Sequence, residues 1–233
     1  MKCAIMQPYL FPYLGYFQLI HAVDVFVSLD DVKYVPRRWI NRNRILAGNT
    51  AKYFTFSLKK DSSKLNINER FYVDDLESQK TRFFNLLRNH YRKAPLYIPT
   101  ISLLERILDY DDLNVAAFNL HTLKTLSQYL GITTEFLVSS ELDKDNSLKA
   151  SDKVININQR LNAEVYINPI GGIGLYSREQ FARHHIKLNF LKTNPITYPQ
   201  FDHPFIPDLS VVDVMMFNDK NVIPHYLEAL ELV

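Results

Sequence analysis

A short apolar run at the start of the chain, followed by a loop rich in aromatic residues (MQPYLFPYLGYFQLI, residues 6–20), constrains the fold more than any other feature. Residues 2–6 predict a buried strand, which ends at Gln7 and Pro8, and apolar residues at helical spacing predict a helix over residues 12–22. A second strand is predicted over residues 24–29. A strand, a short helix and a strand form a βαβ unit, which we expect to be parallel and right-handed. Ligands bind at the carboxyl ends of such strands, so we predict a ligand site in the aromatic loop.

The rest of the chain continues this alternation of strands and helices. Residues 38–46 and 52–58 predict a β-hairpin around a turn at 47–50. Further strands are predicted at 134–138, 164–168 and 187–191, and helices at 75–92, 101–108, 113–130, 149–161, 177–184, 210–216 and 225–232. The alternation predicts an α/β fold with a mostly parallel, Rossmann-like sheet, into which the hairpin is inserted. We expect a single domain over residues 1–233, in which a helical segment at about 75–130 covers the sheet.

Composition excludes several classes of protein. The net charge is +2 and charges of both signs are scattered along the chain, so the sequence lacks the basic stripe of a nucleic-acid binder. The single cysteine, Cys3, cannot form an intramolecular disulfide and is predicted to be a small buried apolar residue. The N-terminus does not resemble a signal peptide, and no apolar run is long enough to span a bilayer. We therefore expect a cytoplasmic protein without a membrane span, and its composition leaves a homo-oligomer open.

The aromatic loop carries the residue types of a sugar or base site. Tyr9, Tyr13 and Tyr16 offer aromatic faces and hydroxyl groups, Gln7 adds an amide, and Gly15 permits close approach of a ligand or backbone. The start of the following helix offers free N–H groups to an anion. We predict that these five residues bind substrate. The alternative is an aromatic core in which the tyrosine hydroxyls are satisfied internally.

The same turn is similar to a motif of nucleotidylyltransferases and related adenylate-forming enzymes. Those enzymes have the order Pro-His-x-Gly-His after a first strand, whereas this chain has Pro-Tyr-x-Gly-Tyr. Tyr13 and Tyr16 thus replace the two histidines that contact phosphates at the transition state. The similarity keeps nucleotidyl transfer open as an alternative, and the replacement argues against it.

The predicted hairpin carries the second candidate site. Strand alternation places Trp39, Asn41 and Asn43 on one face, and Arg42 and Arg44 on the other. Either guanidinium group can bind a phosphate or carboxylate through paired hydrogen bonds, and the amides can bind sugar hydroxyls beside the indole ring. The alternative is a solvated edge strand whose arginines pair with the acidic residues that end the second strand.

Those acidic residues, Asp30 and Asp31, are predicted to lie at the same edge of the sheet as the aromatic loop. Either carboxylate could act as a base, bind a metal through oxygen, or anchor the arginines. We predict both as catalytic residues. No further carboxylate or histidine lies at metal-ligand spacing, so we expect no metal site.

The second half of the chain adds a glycine cluster between a strand and a helix. Gly171 and Gly172, followed by Tyr176, are predicted to bind substrate, because backbone N–H groups in such a turn can hold a phosphate. A tight turn without a ligand is the alternative. Lys149 and Asp152, at the start of a predicted helix, are further substrate-binding candidates, although Asp152 could simply favour the helix dipole.

Five segments together resemble the WbqC-like family, which occurs with bacterial surface-polysaccharide gene sets: residues 6–20, 24–45, 149–155, 166–176 and 205–218. The resemblance implies a role in building the amino sugars of O-antigen or capsule. The leading hypothesis is a transferase that moves a small acyl or aminoacyl group to the amine of a nucleotide-linked amino sugar, with ATP or acyl-CoA as a compatible cofactor. The alternatives are a non-catalytic module that binds a nucleotide sugar or partner, and a nucleotidyl or glycosyl transferase.

Overall fold

A computed structural model describes residues 1–202 and 204–233. Its centre is a six-stranded sheet in the order β5-β2-β1-β6-β7-β8, and β3 and β4 form a separate antiparallel hairpin. The strands are β1 (Lys2–Met6), β2 (Val25–Ser28), β3 (Arg42–Ala47), β4 (Thr50–Thr55), β5 (Glu135–Val138), β6 (Val165–Pro169), β7 (Lys187–Thr193) and β8 (Leu230–Leu232). The first five strands of the sheet are parallel and β8 is antiparallel to β7. This confirms the predicted α/β fold with a mostly parallel sheet and a hairpin insertion.

Helices cover both faces of the sheet. They are α1 (Leu14–His21), α2 (Leu76–Tyr91), α3 (Tyr97–Leu108), α4 (Val115–Tyr129), α5 (Ala150–Arg160), α6 (Arg178–Ala182), α7 (Val211–Phe217) and α8 (Ile223–Glu228). Alternate residues of β1 point to opposite faces, so Ala4 packs into the core with α1, α2, α3 and α4, whereas Cys3 and Ile5 pack into the core with α5 and α6. Burial on both faces explains why β1 and β2 read as continuous apolar runs.

The order of the strands reverses next to β1. The chain proceeds from β1 to β2 and β5 on one side, and then returns to place β6 and β7 on the other side. The loops that leave β1 and β6 therefore diverge to opposite faces of the sheet. In open α/β sheets this divergence creates a crevice at the carboxyl ends of the two strands.

Most predicted elements are confirmed, including serine caps on two helices. The Ser177 side chain accepts a hydrogen bond from the Gln180 amide, and the Ser210 side chain accepts one from Val212. Helix α3 begins at Tyr97, earlier than predicted, because Pro99 lies in the first turn, where its missing N–H has no intrahelical partner to lose.

The C-terminal prediction is wrong in part. Residues 230–232 were predicted to be helical but form β8, in which Leu232 pairs with Leu191 of β7. In the described residues, no helix has the length and apolar character needed to cross a membrane. The helical segment and one face of the sheet contribute to one hydrophobic cluster, while the single-domain organisation stays a prediction.

Candidate functional site

A continuous groove runs along the carboxyl edge of the sheet over β1, β6 and β7. It consists of three adjoining cavities of about 370, 440 and 520 Å³, and Tyr13 lines all three. Ten of the predicted site residues line it: Gln7, Tyr9, Tyr13, Gly15, Trp39, Asn43, Arg44, Gly171, Gly172 and Tyr176. The groove thus lies at the point where the strand order reverses, and the two sequence segments that meet there are the aromatic loop and the glycine cluster.

Side chains of β3 form hydrogen bonds with three strained turns of the backbone. Phe11, Arg37 and Asp208 have left-handed backbones, with φ of 44°, 62° and 56°, which cost free energy in residues other than glycine. Each carbonyl of these three residues accepts a hydrogen bond from a β3 side chain: Phe11 from Asn43 (2.8 Å), Arg37 from Arg42, and Asp208 from Arg44 (3.1 Å). One strand therefore stabilises three strained turns, and of their residues Asp208 lines the groove.

Aromatic rings and guanidinium groups alternate along the outer side of the hairpin. The Arg44 guanidinium lies 5.6 Å from the centre of the Trp39 ring, which stacks on Tyr53 at 6.1 Å, and Arg42 lies 4.6 Å from the Tyr53 ring. Trp39 lies before β3 and packs with the arginines, so the predicted shared face of Trp39 with Asn41 and Asn43 is wrong. Only Arg44 of the two arginines lines the groove.

The three tyrosines of the loop have different roles. The Tyr16 ring is fully buried and its hydroxyl donates to the Gln7 carbonyl at 2.6 Å. Tyr9 and Tyr13 line the groove. Burial raises the pKa of Tyr13 to about 12, with Tyr9 and Asp208 adding to the effect, so this hydroxyl keeps its proton at neutral pH and can donate a hydrogen bond.

Glycines are required where side chains crowd the floor of the groove. A Cβ on Gly15 would lie 2.6 Å from Tyr13 Cε2 and 2.9 Å from Thr193 Oγ1, and a Cβ on Gly172 would overlap the Asn168 amide. Gly171 has open space around its Cα instead. Gly15 thus allows the Tyr13 ring to lie against helix α1.

The acidic pair after β2 is closed off from the groove. Asp30 is 2% exposed and accepts hydrogen bonds from the amide (2.9 Å) and hydroxyl (2.6 Å) of Ser140. Asp31 forms ion pairs with Lys144 (2.9 Å) and Lys153 (2.7 Å). Burial alone would raise the pKa of Asp31, but the hydrogen bonds from both lysines outweigh it, so the pKa lies below its usual value.

This arrangement corrects one alternative from the sequence. The partners of Asp31 are lysines, and the arginines of the hairpin pair with neither Asp30 nor Asp31. Neither acidic residue lines the three cavities of the groove. Their catalytic role stays a prediction.

Five other predicted residues also lie outside the groove. Tyr16 and Asn41 are buried, and the Asn41 side chain bonds to the Tyr34 hydroxyl and the Phe56 carbonyl, so both contribute to the fold. Their contact with a ligand stays a prediction. The Arg42 side chain is held by Arg37 and Tyr53. Lys149 precedes α5 and Asp152 lies in its first turn; both are exposed, and Asp152 accepts a hydrogen bond from Gln180 at 2.9 Å.

The groove also contains residues that sequence reasoning missed. Lys192 and Thr193 are the last two residues of β7, Asn194 follows them, and Asp208 reaches the groove from the loop before α7. The residues at the end of β7 could have been predicted as site residues, because they follow a strand that the sequence predicts to be parallel. The sequence signal for Asp208 was weaker: this residue lies in the C-terminal segment that carries the family resemblance.

The chemistry of the groove suits an elongated ligand with an anionic part and ring-shaped parts. Arg44 can bind a phosphate, while Tyr9, Tyr13 and Trp39 offer aromatic faces to a sugar or base. Within residues 1–202 and 204–233, no three His, Cys, Asp or Glu side chains come together in a way that would hold a metal ion.

Comparisons with known proteins agree with the sequence resemblance. The profile of the WbqC-like protein family matches residues 7–224, which includes the aromatic loop, the hairpin and the glycine cluster. The chain is also similar to the uncharacterized protein Rv1507c of Mycobacterium tuberculosis (strain ATCC 25618 / H37Rv), with 27% identity over 229 residues and coverage of 97% of each chain. No solved structure matches. Because the profile covers nearly all of the sequence, the chain belongs to the WbqC-like protein family.

Proposed function

We propose that the groove binds a nucleotide-linked amino sugar and that the protein transfers a small acyl or aminoacyl group to its amine, in the synthesis of bacterial surface polysaccharide. The observation that carries the proposal is the combination of Arg44 with Trp39, Tyr9 and Tyr13 at the reversal point of the sheet. A guanidinium group beside aromatic faces matches a diphosphate that lies between a base and a sugar.

The dimensions of the groove support a ligand of this length. Its three cavities adjoin one another through shared lining residues, so base, diphosphate and sugar can lie along one path. The cavity of about 370 Å³ between β7 and the loop before α7 is lined mainly by apolar groups, among them Ile196, Tyr198 and Phe205. In this proposal that end of the groove receives the acyl group.

A thermal-shift panel tests the binding step. The ligands are ATP, CoA, acyl-CoAs, and UDP- and dTDP-linked amino sugars with their free nucleotides. A ligand at a hundredfold over its dissociation constant adds about 2.7 kcal/mol of stability, which raises the melting temperature of a chain of this size by a few degrees. We expect this shift with nucleotide sugars.

Arg44→Ala and Arg42→Ala form a matched pair for this panel. Both arginines lie on β3 and stack on an aromatic ring, but only Arg44 lines the groove. Losing a charge-assisted bond to phosphate costs about 2 kcal/mol, so Arg44→Ala should lower nucleotide-sugar affinity about thirtyfold while Arg42→Ala leaves it within about twofold. Equal losses in the two variants would contradict the proposed diphosphate position.

Mass spectrometry tests the reaction itself. Purified protein incubated with an amino-sugar nucleotide and either acyl-CoA, or ATP with a small acid, should form a new amide. If every such pair leaves the amino sugar unchanged, the transferase proposal fails.

A second candidate function is a non-catalytic module that binds a nucleotide sugar. The observation that favours it is the position of Asp30 and Asp31, because both predicted catalytic carboxylates are engaged outside the groove. This candidate predicts nucleotide-sugar binding that depends on Arg44 and no amide product.

A further inference from the structure

Of the described residues that line the groove, Asp208 is the one with a carboxylate side chain. Its backbone carbonyl accepts a hydrogen bond from Arg44 at 3.1 Å, so the residue is fixed in place. Its side chain is exposed, and its carboxylate forms no ion pair or hydrogen bond with residues 1–202 or 204–233. The carboxylate is thus available to a ligand.

Asp208 lies where two of the cavities meet. It lines both the apolar cavity of about 370 Å³ and the cavity of about 440 Å³ that contains Arg44. Its φ of 56° is a strained conformation that Asp and Asn tolerate better than most other residues. Strain of this kind persists only where surrounding contacts hold it, and here the bond from Arg44 does so.

The charges of the groove are arranged in sequence. Arg44 and Lys192 line the cavity of about 440 Å³, but the Lys192 ammonium is paired with Glu231 at 2.6 Å. Of the described residues that line it, Arg44 is therefore the cation without a carboxylate partner, and Asp208 follows it towards the apolar cavity. A ligand that matches this order carries an anionic group and, further along, a cationic group.

We propose that Asp208 recognises the protonated amine of the sugar, so that the groove selects a free amino sugar over its N-acylated form. This inference rests on the proposed function, because it places the diphosphate at Arg44. Acylation turns a charged amine into a neutral amide, which removes the attraction to the carboxylate. The same residue then favours binding of the acceptor and release of the acylated product.

Calorimetric titration with two probes tests the selection. UDP-glucosamine and UDP-N-acetylglucosamine differ in the acetyl group on the sugar nitrogen, so their affinity ratio at mildly acidic pH reports recognition of the amine. We expect the unmodified protein to bind UDP-glucosamine about fivefold more tightly, since an exposed ion pair contributes about that much. Asp208→Asn keeps the size and the tolerated backbone conformation, and should abolish the preference.

A control variant separates selection by Asp208 from a general effect of removing a carboxylate from this loop. Asp202→Asn removes an exposed carboxylate from the same loop outside the groove and should keep the preference. Arg44→Ala should weaken both probes and, since it also removes the bond that holds Asp208, should reduce their affinity ratio. Equal affinities for the two probes in the unmodified protein, or a preference retained in Asp208→Asn, would overturn the role of Asp208 and leave the groove proposal standing. Failure of both probes to bind the unmodified protein would overturn both proposals.

Discussion

The carboxyl edge of the sheet has two halves that are built differently. Over β2 and β5 the polar groups bond to one another: Asp30 to Ser140, and Asp31 to Lys144 and Lys153. Over β1, β6 and β7 the edge is an open groove. The comparison teaches that the end of a parallel strand places polar residues at an edge, whereas the reversal of strand order decides which part of that edge can receive a ligand.

The two halves also use their charges differently. In the closed half, the side chains of Lys144 and Lys153 are 0% and 9% exposed, and burial of this kind requires a charged partner. In the open half, the Arg44 guanidinium lies 5.6 Å from the centre of the Trp39 ring and lines the cavity of about 440 Å³. The closed half should therefore control stability and the open half should control binding.

Asp31→Asn should show the largest effect on stability. The substitution leaves two buried ammonium groups without a counter-charge, and breaking a buried pair costs about 3 kcal/mol or more. Urea unfolding should show this loss in the free energy of unfolding, while nucleotide-sugar affinity stays within about twofold. Asp143→Asn, at an exposed position next to Lys144 in the sequence, serves as the control. If Asp31→Asn lost as much nucleotide-sugar affinity as Arg44→Ala, the claim that the closed half controls stability and the open half controls binding would be wrong.

Gly15→Ala should affect the open half with a smaller change in stability. The new methyl would overlap Tyr13 and Thr193, which costs about 1–3 kcal/mol, but alanine favours helix α1 by about 1 kcal/mol. We expect a net loss near 1 kcal/mol and a several-fold weaker nucleotide-sugar affinity, because the Tyr13 ring must move. Gly174→Ala, which meets nothing within 4 Å, should change neither quantity. Unchanged nucleotide-sugar affinity in Gly15→Ala would show that the position of the Tyr13 ring does not matter for ligand binding.

The pH dependence of stability gives the smallest and most specific signal. The folded-state pKa of Asp31 lies below its ordinary value of 3.8, so its contribution is present above that pH and is lost as the pH falls through the folded-state pKa. The difference in unfolding free energy between the protein and Asp31→Asn should be constant near neutral pH and shrink below 3.8. A difference that stays constant into strong acid would show that the ion pairs with the lysines are not its source.

Local sequence patterns were enough to predict the groove in outline. Alternation and helical spacing located the ends of β1 and β6, and the residues just after those ends, such as Tyr9 and Gly171, do line the groove. These predictions succeed because consecutive residues determine where a strand ends and which side chains follow it.

The remaining features depend on contacts between distant parts of the chain. Asp208 is held at the groove by a hydrogen bond from Arg44, which lies 164 positions away in the sequence. Lys153 bonds to Asp31, which lies 122 positions away. Strand β8 is short and exists because the edge of β7 offers it backbone partners. Periodicity carries no information on such pairings, which is why the closure of Asp30 and Asp31 was not predicted.

A crystal structure of the protein soaked with UDP-glucosamine tests the central claim most directly. The account predicts density for the nucleotide sugar along the groove, with a phosphate oxygen within hydrogen-bond distance of Arg44 and the sugar amine beside Asp208. Density over β2 and β5, next to Lys144 and Lys153, would contradict it, as would a nucleotide bound away from the carboxyl edge of the sheet.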